Sequence, residues 1–256
     1  MSATGSTTGT LYLDTDILDN NLYPAMRAET LLNASDELVV PVRNQNRPHF
    51  RRIGAVSFGS RVGASEVHPA HNRSVDEILN ELRTANNIDL CVYVFDENKA
   101  RHTQVIFSTL PNSNYRWGKE GDARVAFSDG RYIQPDIAGR DANKFFPRSS
   151  CPNIIIEVIR THEPDLDTFK KLYELSKAST IVVFCFITDD DWKTKLNHVI
   201  PNPNRFVFRI SRYMINGSVY SGDSEVYVRR TAETLDAWYL RLVNSYFLSA
   251  KDTVRK

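Results

Sequence analysis

The sequence predicts an α/β fold in which helices flank a mixed central β-sheet. Residues 154–159 and 180–187 are almost wholly apolar, as in strands that are covered on both faces. Residues 165–178 between them carry apolar side chains at helical spacing, so this segment predicts a β-α-β crossover with parallel strands. The pairs Asp129-Gly130 and Asn216-Gly217 predict tight turns, which add antiparallel hairpins to the sheet.

The first part of the chain predicts little regular structure. Residues 1–10 are rich in Ser, Thr and Gly and are expected to form a disordered tail. Residues 11–70 are expected to form a loop-rich β region that includes a strand over 37–43. The first helix is predicted over 74–86, because Ser74 suits the N-cap position and a glutamate follows three residues later.

Residues 71–200 are expected to form the core of the protein, and residues 201–256 a C-terminal hairpin and helix that pack on it. A homodimer interface is the alternative role for this C-terminal segment. The core strands, in order, are predicted over 89–95, 103–110, 123–127, 131–137, 154–159 and 180–187, with a polar connection over 138–152. The C-terminal hairpin is predicted over 205–215 and 219–229, and the terminal helix over 231–250.

Composition narrows the class of protein. The 256 residues carry a formal net charge of +1, with 41% hydrophobic and 25% charged residues, as in ordinary globular proteins. Any anion-binding surface must therefore be a local patch. The three cysteines are widely spaced and odd in number, which argues against a disulfide framework. The sequence shows neither a signal peptide nor an apolar run long enough for a membrane helix, so we expect a soluble cytoplasmic protein without a membrane partner.

Two carboxylates stand out within apolar strand-like segments. Asp136 follows Pro135 at the end of one predicted strand, and Glu157 lies inside the next. A charge in such a position is costly unless a cation, a partner or solvent compensates it. Mg²⁺ prefers carboxylate oxygens, and adjacent strands could bring these two side chains together around one ion. Gln134, two residues before Asp136, would share its face and could orient a water molecule.

Residues 74–190 resemble the PD-(D/E)xK phosphodiesterase superfamily in the order of their predicted elements. These are a helix, a hairpin ending in Pro135-Asp136, a strand carrying Glu157, a helix and a strand. This resemblance implies a restriction-endonuclease-like core and hydrolysis of DNA phosphodiester bonds. It also implies that Asp136 and Glu157 bind Mg²⁺, for which Mn²⁺ can substitute.

The chain lacks the catalytic lysine of the family motif. The lysine two residues after the glutamate is replaced by Ile159, and Arg160 would serve only if the strand ends or bulges there, since successive strand side chains point to opposite faces. Some members of the superfamily take the cation from the following helix instead, which makes lysines of that helix candidates. Lys170 or Lys171 could reach the strand edge, whereas Lys177 is too far along, and we assign the catalytic role to Lys170. A further acidic metal ligand often comes from the helix before the hairpin, where Glu81 is preferred over the capping residue Glu77, and Glu120 is the rival.

Several other residues are candidates for nucleic-acid contacts. The segment His49-Phe50, followed by His68 and His71, resembles the region ahead of the helix in competence-associated nuclease-like proteins. Clustered arginines beside it could contact phosphates, since phosphate binding depends on such cations. A loop after the Asp136 strand carries further cations. The nucleic-acid contacts expected from both regions are Arg47, Arg51, Arg52, Arg140 and Lys144; Arg43 and Arg61 belong to the same basic cluster.

Three functions are compatible with these residues. The first is a metal-dependent DNA endonuclease. The second is a catalytically impaired nuclease-like protein that binds nucleic acid or a protein partner, because Ile159 cannot replace the lysine. The third is an interaction protein that is independent of nucleic acid, which predicts no salt-dependent DNA binding.

Overall fold

The computed structural model describes residues 2–34, 37–53, 61–63 and 68–255, and the chain divides into two compact units, Met1–Phe58 and Gly59–Lys256. The first unit is built on a five-stranded antiparallel sheet in the order β2-β1-β3-β4-β5. Its elements are β1 (Ser2–Gly5), β2 (Leu11–Leu13), a 3₁₀ turn (Asp14–Leu18), α1 (Leu22–Ala28), β3 (Leu31–Leu32), β4 (Leu38–Val42) and β5 (His49–Arg52).

The N-terminal residues differ from the expected disordered tail. Strand β1 pairs with both β2 and β3, and its Ala3 packs beside Tyr12 in a small core. The alternation of a small apolar residue with polar ones gives β1 one buried face despite its polar composition. The strand predicted over 37–43 is confirmed as β4.

Among the described residues, the second unit contains three sheets, of two, four and seven strands, and four α-helices. In order, its elements are α2 (Pro69–Thr84), β6 (Ile88–Phe95), β7 (Arg101–Ser108), β8 (Tyr115–Lys119), a 3₁₀ turn (Glu120–Ala123), β9 (Val125–Ala126), β10 (Tyr132–Ile133), β11 (Ile137–Asp141), β12 (Asn153–Ile159), α3 (Leu166–Ser176), β13 (Thr180–Phe186), β14 (His198–Ile200), β15 (Phe206–Arg209), β16 (Arg212–Ile215), β17 (Ser218–Ser221), β18 (Ser224–Glu225), α4 (Leu235–Leu242), a π-helical turn (Val243–Phe247) and α5 (Leu248–Arg255).

The central sheet of this unit is seven-stranded and mixed, in the order β18-β17-β16-β13-β12-β11-β8. Strand β12 is parallel to β13 and antiparallel to β11, which confirms the predicted crossover through α3. A four-stranded sheet, β14-β15-β6-β7, lies beside it. The fold is therefore mixed α/β, as the sequence predicted.

Alternate residues of β12 divide the interior into two cores. Ile154, Ile156 and Val158 pack with helix α2 and strand β6 on one face. Ile155 and Ile159 pack with α3 and with the C-terminal helices on the other face. The C-terminal helices therefore cover one face of the sheet and complete its core. Of the helices in the described ranges, none has the length and apolar character needed to cross a membrane.

Several predicted boundaries need correction. The strand predicted over 131–137 is reduced to β10, and Asp136 lies just before β11 and not at the end of a strand. Helix α2 begins at Pro69, with the His68 side chain accepting a hydrogen bond from Ala70 N, so Ser74 is a buried interior residue and not the N-cap. The connection predicted over 138–152 contains strand β11, which pairs with β8 as well as β12. The strand predicted over 205–215 is two strands in different sheets, because the chain changes sheets at Ile210 and Ser211.

Candidate functional site

Asp136 and Glu157 lie beside each other at one end of the central sheet. In the ladder between β11 and β12, Ile137 is opposite Ile156, so the next residues in register are Asp136 and Glu157. The two carboxylates therefore share one face of the sheet. Val158 N donates a hydrogen bond to Asp136 Oδ2 at 2.8 Å, which fixes the aspartate carboxylate against the edge of β12.

Both carboxylates line a cavity of about 260 Å³ beside the N-terminus of α3. One wall is the loop 160–165 that follows β12. Lys251 of α5 holds this loop through an ion pair with Glu163 at 2.6 Å, and Tyr239 of α4 donates a hydrogen bond to Pro164 O at 2.7 Å. The polar residues of the lining are Arg61, His71, Gln134, Asp136, Glu157, His162, Glu163, Asp165 and Thr168.

The carboxyl group of Glu157 has an unusual electrostatic environment. Its Oε1 is buried and has no hydrogen-bond partner among the described residues. Burial is the largest cause of a pKa raised well above that of an ordinary glutamate, and the negative charge of Asp136 raises it further. The positive charge of Arg61 acts in the opposite direction without restoring the ordinary pKa. In the absence of a bound cation, Glu157 therefore retains a proton to a higher pH than a solvated glutamate does.

His71 contacts the site from the first turn of α2. Its Nε2 lies 3.2 Å from Asp136 Oδ2, and its side chain is only 5% exposed. The sequence singled out His71 only together with His49 and His68, in the segment that resembles competence-associated nuclease-like proteins. A stronger signal was available, because His71 precedes Val75, Ile78 and Leu82 at helical spacing and so extends the buried stripe of α2 by one turn.

Arg61 is the second residue whose role the sequence did not identify. The sequence pattern groups it with the arginines of the first unit, but in the structure it lines the cavity together with Glu157 and forms a β-bridge with Tyr132. Its Nε is buried and has no hydrogen-bond partner among the residues that the structure describes. A guanidinium group therefore lines the cavity of the carboxylate pair, close enough for its charge to act on Glu157.

The structure brings some of the other predicted residues to the site and places others elsewhere. Gln134 lines the 260 Å³ cavity. Lys170 is directed to α4, where its Nζ lies 2.8 Å from Asp236 Oδ1. Lys171 is in an ion pair with Asp129 at 3.0 Å. These are the cations that were expected at the site, and neither lines the cavity.

The expected helical acid is also absent from the cavity. Glu81 is exposed on α2 and contributes to neither cavity next to Asp136, so the structure does not support its assignment as a metal ligand. Its rival Glu120 lines a neighbouring cavity of about 330 Å³ together with His71, Gln134 and Asp136. The helix contributes a histidine instead, because its first turn and not its middle faces the carboxylates.

The basic residues expected to contact nucleic acid occur in both units. Arg47, Arg51 and Arg52 lie in or next to β5 of the first unit, and Arg52 forms an ion pair with Glu37 at 2.8 Å. Arg140 and Lys144 are exposed in and after β11 of the second unit. Arg140 is on the same face of the sheet as Asp136, since the two are four residues apart along one extended segment.

The donor atoms at the carboxylate pair suit a hard divalent cation that keeps part of its water shell. Within the described ranges, no group of three or more His, Cys, Asp or Glu side chains is arranged to hold a metal. Mg²⁺, however, is commonly bound through one or two carboxylates and completes its shell with water and substrate phosphates. The unpartnered, buried Oε1 of Glu157 beside Asp136 fits that kind of site.

Comparison of the chain with protein-family models, with curated proteins and with solved structures found no match in any of the three. The chemistry proposed below therefore depends on the geometry of the carboxylate pair and on the residues that surround it.

Proposed function

We propose that the protein is a metal-dependent nuclease that hydrolyses DNA phosphodiester bonds, with Mg²⁺ held by Asp136 and Glu157. The observation that carries this proposal is the direct juxtaposition of two carboxylates, one of which has a buried oxygen with no partner among the described residues. Like charges opposite each other on neighbouring strands destabilise a sheet. A divalent cation would remove that repulsion and satisfy the unpartnered oxygen.

Residues around the pair have distinct roles in this proposal. Bound Mg²⁺ supplies Lewis acidity toward a phosphoryl oxygen and lowers the pKa of a coordinated water. Asp136 is held in place by Val158 N and His71, so its carboxylate is oriented before the substrate arrives. Arg61 provides positive charge for the phosphate, because a guanidinium group suits phosphate geometry. Gln134 orients water at the rim of the cavity.

The proposal includes the fold of the core. Support for a restriction-endonuclease-like core comes from the order of the elements around the carboxylates. Helix α2 is followed by β11 with Asp136 immediately before it, then by β12 with Glu157, by α3 and by the parallel strand β13. We therefore propose that this unit belongs to the PD-(D/E)xK class, with Arg61 in place of the missing lysine.

Plasmid cleavage in the presence of Mg²⁺ or Mn²⁺ tests the proposal. The wild-type protein should nick or linearise the plasmid, and Asp136→Ala or Glu157→Ala should lower the rate roughly 10²-fold or more, as expected when a group that stabilises the transition state is lost. Chelation by EDTA should abolish cleavage. Equal cleavage by the wild type and both variants would identify a contaminating nuclease and refute the proposal.

A catalytically impaired nuclease-like protein is the second candidate. The observation in its favour is Ile159, which occupies the lysine position and is only 1% exposed within the core that α3 covers. This candidate predicts salt-dependent DNA binding without cleavage in any divalent metal. The same plasmid assay, combined with a binding measurement at two salt concentrations, distinguishes the two functions.

A further inference from the structure

Two phenylalanines are exposed on a loop of the second unit that the carboxylate site does not use. Phe145 is 91% exposed and Phe146 is 66% exposed. Their rings contact each other edge to face, with centroids 4.5 Å apart, so they form one aromatic surface. We call residues 142–150 the Phe loop. Such a surface in contact with water is unfavourable, and exposed apolar clusters commonly mark binding sites.

Positive charge surrounds the Phe loop. Arg140 lies directly opposite Arg116 in the ladder between β11 and β8, where two like charges destabilise the sheet. Among the described residues, neither arginine has an ion-pair partner, and the same is true of Arg148 in the loop. Asp141 is the nearest carboxylate in sequence, but it is buried. Its Oδ1 accepts hydrogen bonds from Asn143 N in the Phe loop and from Asn114 N just before β8.

The two arginines border a cavity of about 420 Å³ on the face of the sheet that carries the carboxylates. Asn153 and Ala138 line this cavity, and Asp122 contributes the acidic group of its lining. Arg140 is four residues along the strand from Asp136, a distance of about 13 Å at the rise of an extended chain. That distance corresponds to about four nucleotides of a stacked strand at 3.4 Å each.

We propose that the Phe loop and the pair Arg116–Arg140 bind an unpaired strand of DNA, with bases stacked on Phe145 and Phe146 and phosphates at the arginines. In a duplex the faces of the bases are stacked on one another, whereas an unpaired strand offers them to aromatic side chains. Clustered arginines provide the complementary charge for its backbone. The inference rests on the proposed function, because it names the form of DNA that reaches the carboxylate pair.

Binding without hydrolysis tests this inference separately from catalysis. The full chain is titrated in EDTA against a fluorescent 15-nucleotide dT strand and a 15-base-pair duplex, and anisotropy is recorded. The double variant Phe145→Ala/Phe146→Ala should bind the single strand about tenfold or more weakly, since each stacked base contributes substantially to such affinities. Its affinity for the duplex should change less than about twofold, because the bases of a duplex do not reach the loop.

The matched control is Phe95→Ala, which removes another phenylalanine of the second unit that is 66% exposed but lies outside the Phe loop. This variant should bind the single strand as the wild type does. Arg140→Gln should weaken single-strand binding and reduce the magnitude of its salt slope by about 0.7, the value for one phosphate contact on a single strand. Melting temperatures close to wild type are expected for all these exposed substitutions and verify that the variants fold.

The outcomes separate the inference from the proposed function. Unchanged single-strand binding by the double variant, or equal losses on both DNA forms, overturns the inference even if the protein cleaves DNA. Loss of binding to phosphatidylserine vesicles with no loss of dT binding would assign the loop to a membrane surface and also overturn it. A selective loss on the single strand supports the inference, and it does so even if no cleavage is found and the proposed function fails.

Discussion

The carboxyl group of Glu157 links the proposed metal site to the stability of the fold. Its pKa is raised by burial and by the neighbouring charge of Asp136. Between the ordinary glutamate pKa and this higher value, the unfolded chain has released a proton that the folded chain retains. The free energy of unfolding therefore falls as pH rises through that interval.

We predict that Glu157→Gln stabilises the protein at neutral pH. The amide removes the repulsion with Asp136, which for like charges across a strand pair is on the order of 1 kcal/mol. Urea unfolding at pH 7.5 should show that gain, and it should vanish near pH 3, well below the ordinary glutamate pKa of about 4.3, where the group is protonated in both folded and unfolded chains. Glu77→Gln, at an exposed site on α2, serves as the control and should change stability little. A Glu157→Gln protein less stable than wild type at pH 7.5 would contradict this account.

His71 provides the second prediction at this scale. Its ring contacts Asp136 Oδ2 at 3.2 Å, so its removal should leave the aspartate less well oriented. His71→Ala should therefore raise the Mg²⁺ concentration needed for half-maximal cleavage by about 10–100-fold, as is typical when a residue that orients a metal ligand is lost. Titration of Mg²⁺ in the plasmid assay measures the effect. His102→Ala, whose side chain is 58% exposed, is the control, and an equal effect in both variants would exclude a specific role for His71.

At the scale of the element, the orientation of helix α3 about its axis determines whether its lysines reach the carboxylate pair. Phe169 and Leu172 are fully buried against the sheet, which turns the neighbouring Lys170 toward Asp236 of α4. The N-terminus of α3, with Asp165 and Thr168, faces the cavity instead. The amphipathic pattern correctly predicted the helix, but the packing of α4 on α3 determines where its lysines find partners.

We predict that Arg61, and not Lys170, is required for cleavage. Arg61→Ala should lower kcat by roughly 10²-fold, because it removes positive charge from the phosphate site, while Arg61→Lys should restore part of the rate. Lys170→Ala is the matched cation control: it should leave the cleavage rate unchanged and cost at most about 1 kcal/mol of stability, as for other ion pairs near the surface. Single-turnover cleavage rates measure both. A larger loss of rate with Lys170→Ala than with Arg61→Ala would contradict this prediction and identify Lys170 of α3 as the catalytic cation.

These elements show where sequence patterns suffice and where they do not. Asp136 and Glu157 could be recognised because an acid inside an apolar strand is a local anomaly, and the parallel crossover followed from two apolar runs with a helix between them. The sheet change at Ile210 and Ser211 coincides with polar residues between two apolar runs, but such residues also fit one continuous strand with alternating faces. Arg61 and His71 reach the site through tertiary packing, so their spacing in sequence could not associate them with the carboxylates.

At the scale of the whole molecule, a nearly neutral chain divides its candidate DNA contacts between two units. The carboxylate pair, Arg61 and the Phe loop belong to the unit Gly59–Lys256, which has its own two cores. The unit Met1–Phe58 has a separate small core and carries Arg47 and Arg51. Chemistry and a part of the affinity for DNA are therefore expected to reside in different units.

We predict that a fragment of residues 59–256 folds by itself and cleaves DNA with the kcat of the full chain but binds duplex DNA less tightly. Arg47 and Arg51 are exposed and have no ion-pair partner within the described residues, whereas Arg52 is held by Glu37. Loss of two phosphate contacts should reduce the magnitude of the salt slope by about 1.8, at 0.9 per contact on duplex DNA.

Circular dichroism tests the folding of the fragment, and anisotropy at several salt concentrations measures the slope. In the full chain, Arg47→Gln/Arg51→Gln should reproduce the slope of the fragment. Arg52→Gln is the control and should leave it nearly unchanged, because that guanidinium group is already paired with Glu37. A fragment that folds but has the same salt slope as the full chain would show that β5 does not contact DNA, and the phosphate contacts would then lie entirely within the second unit.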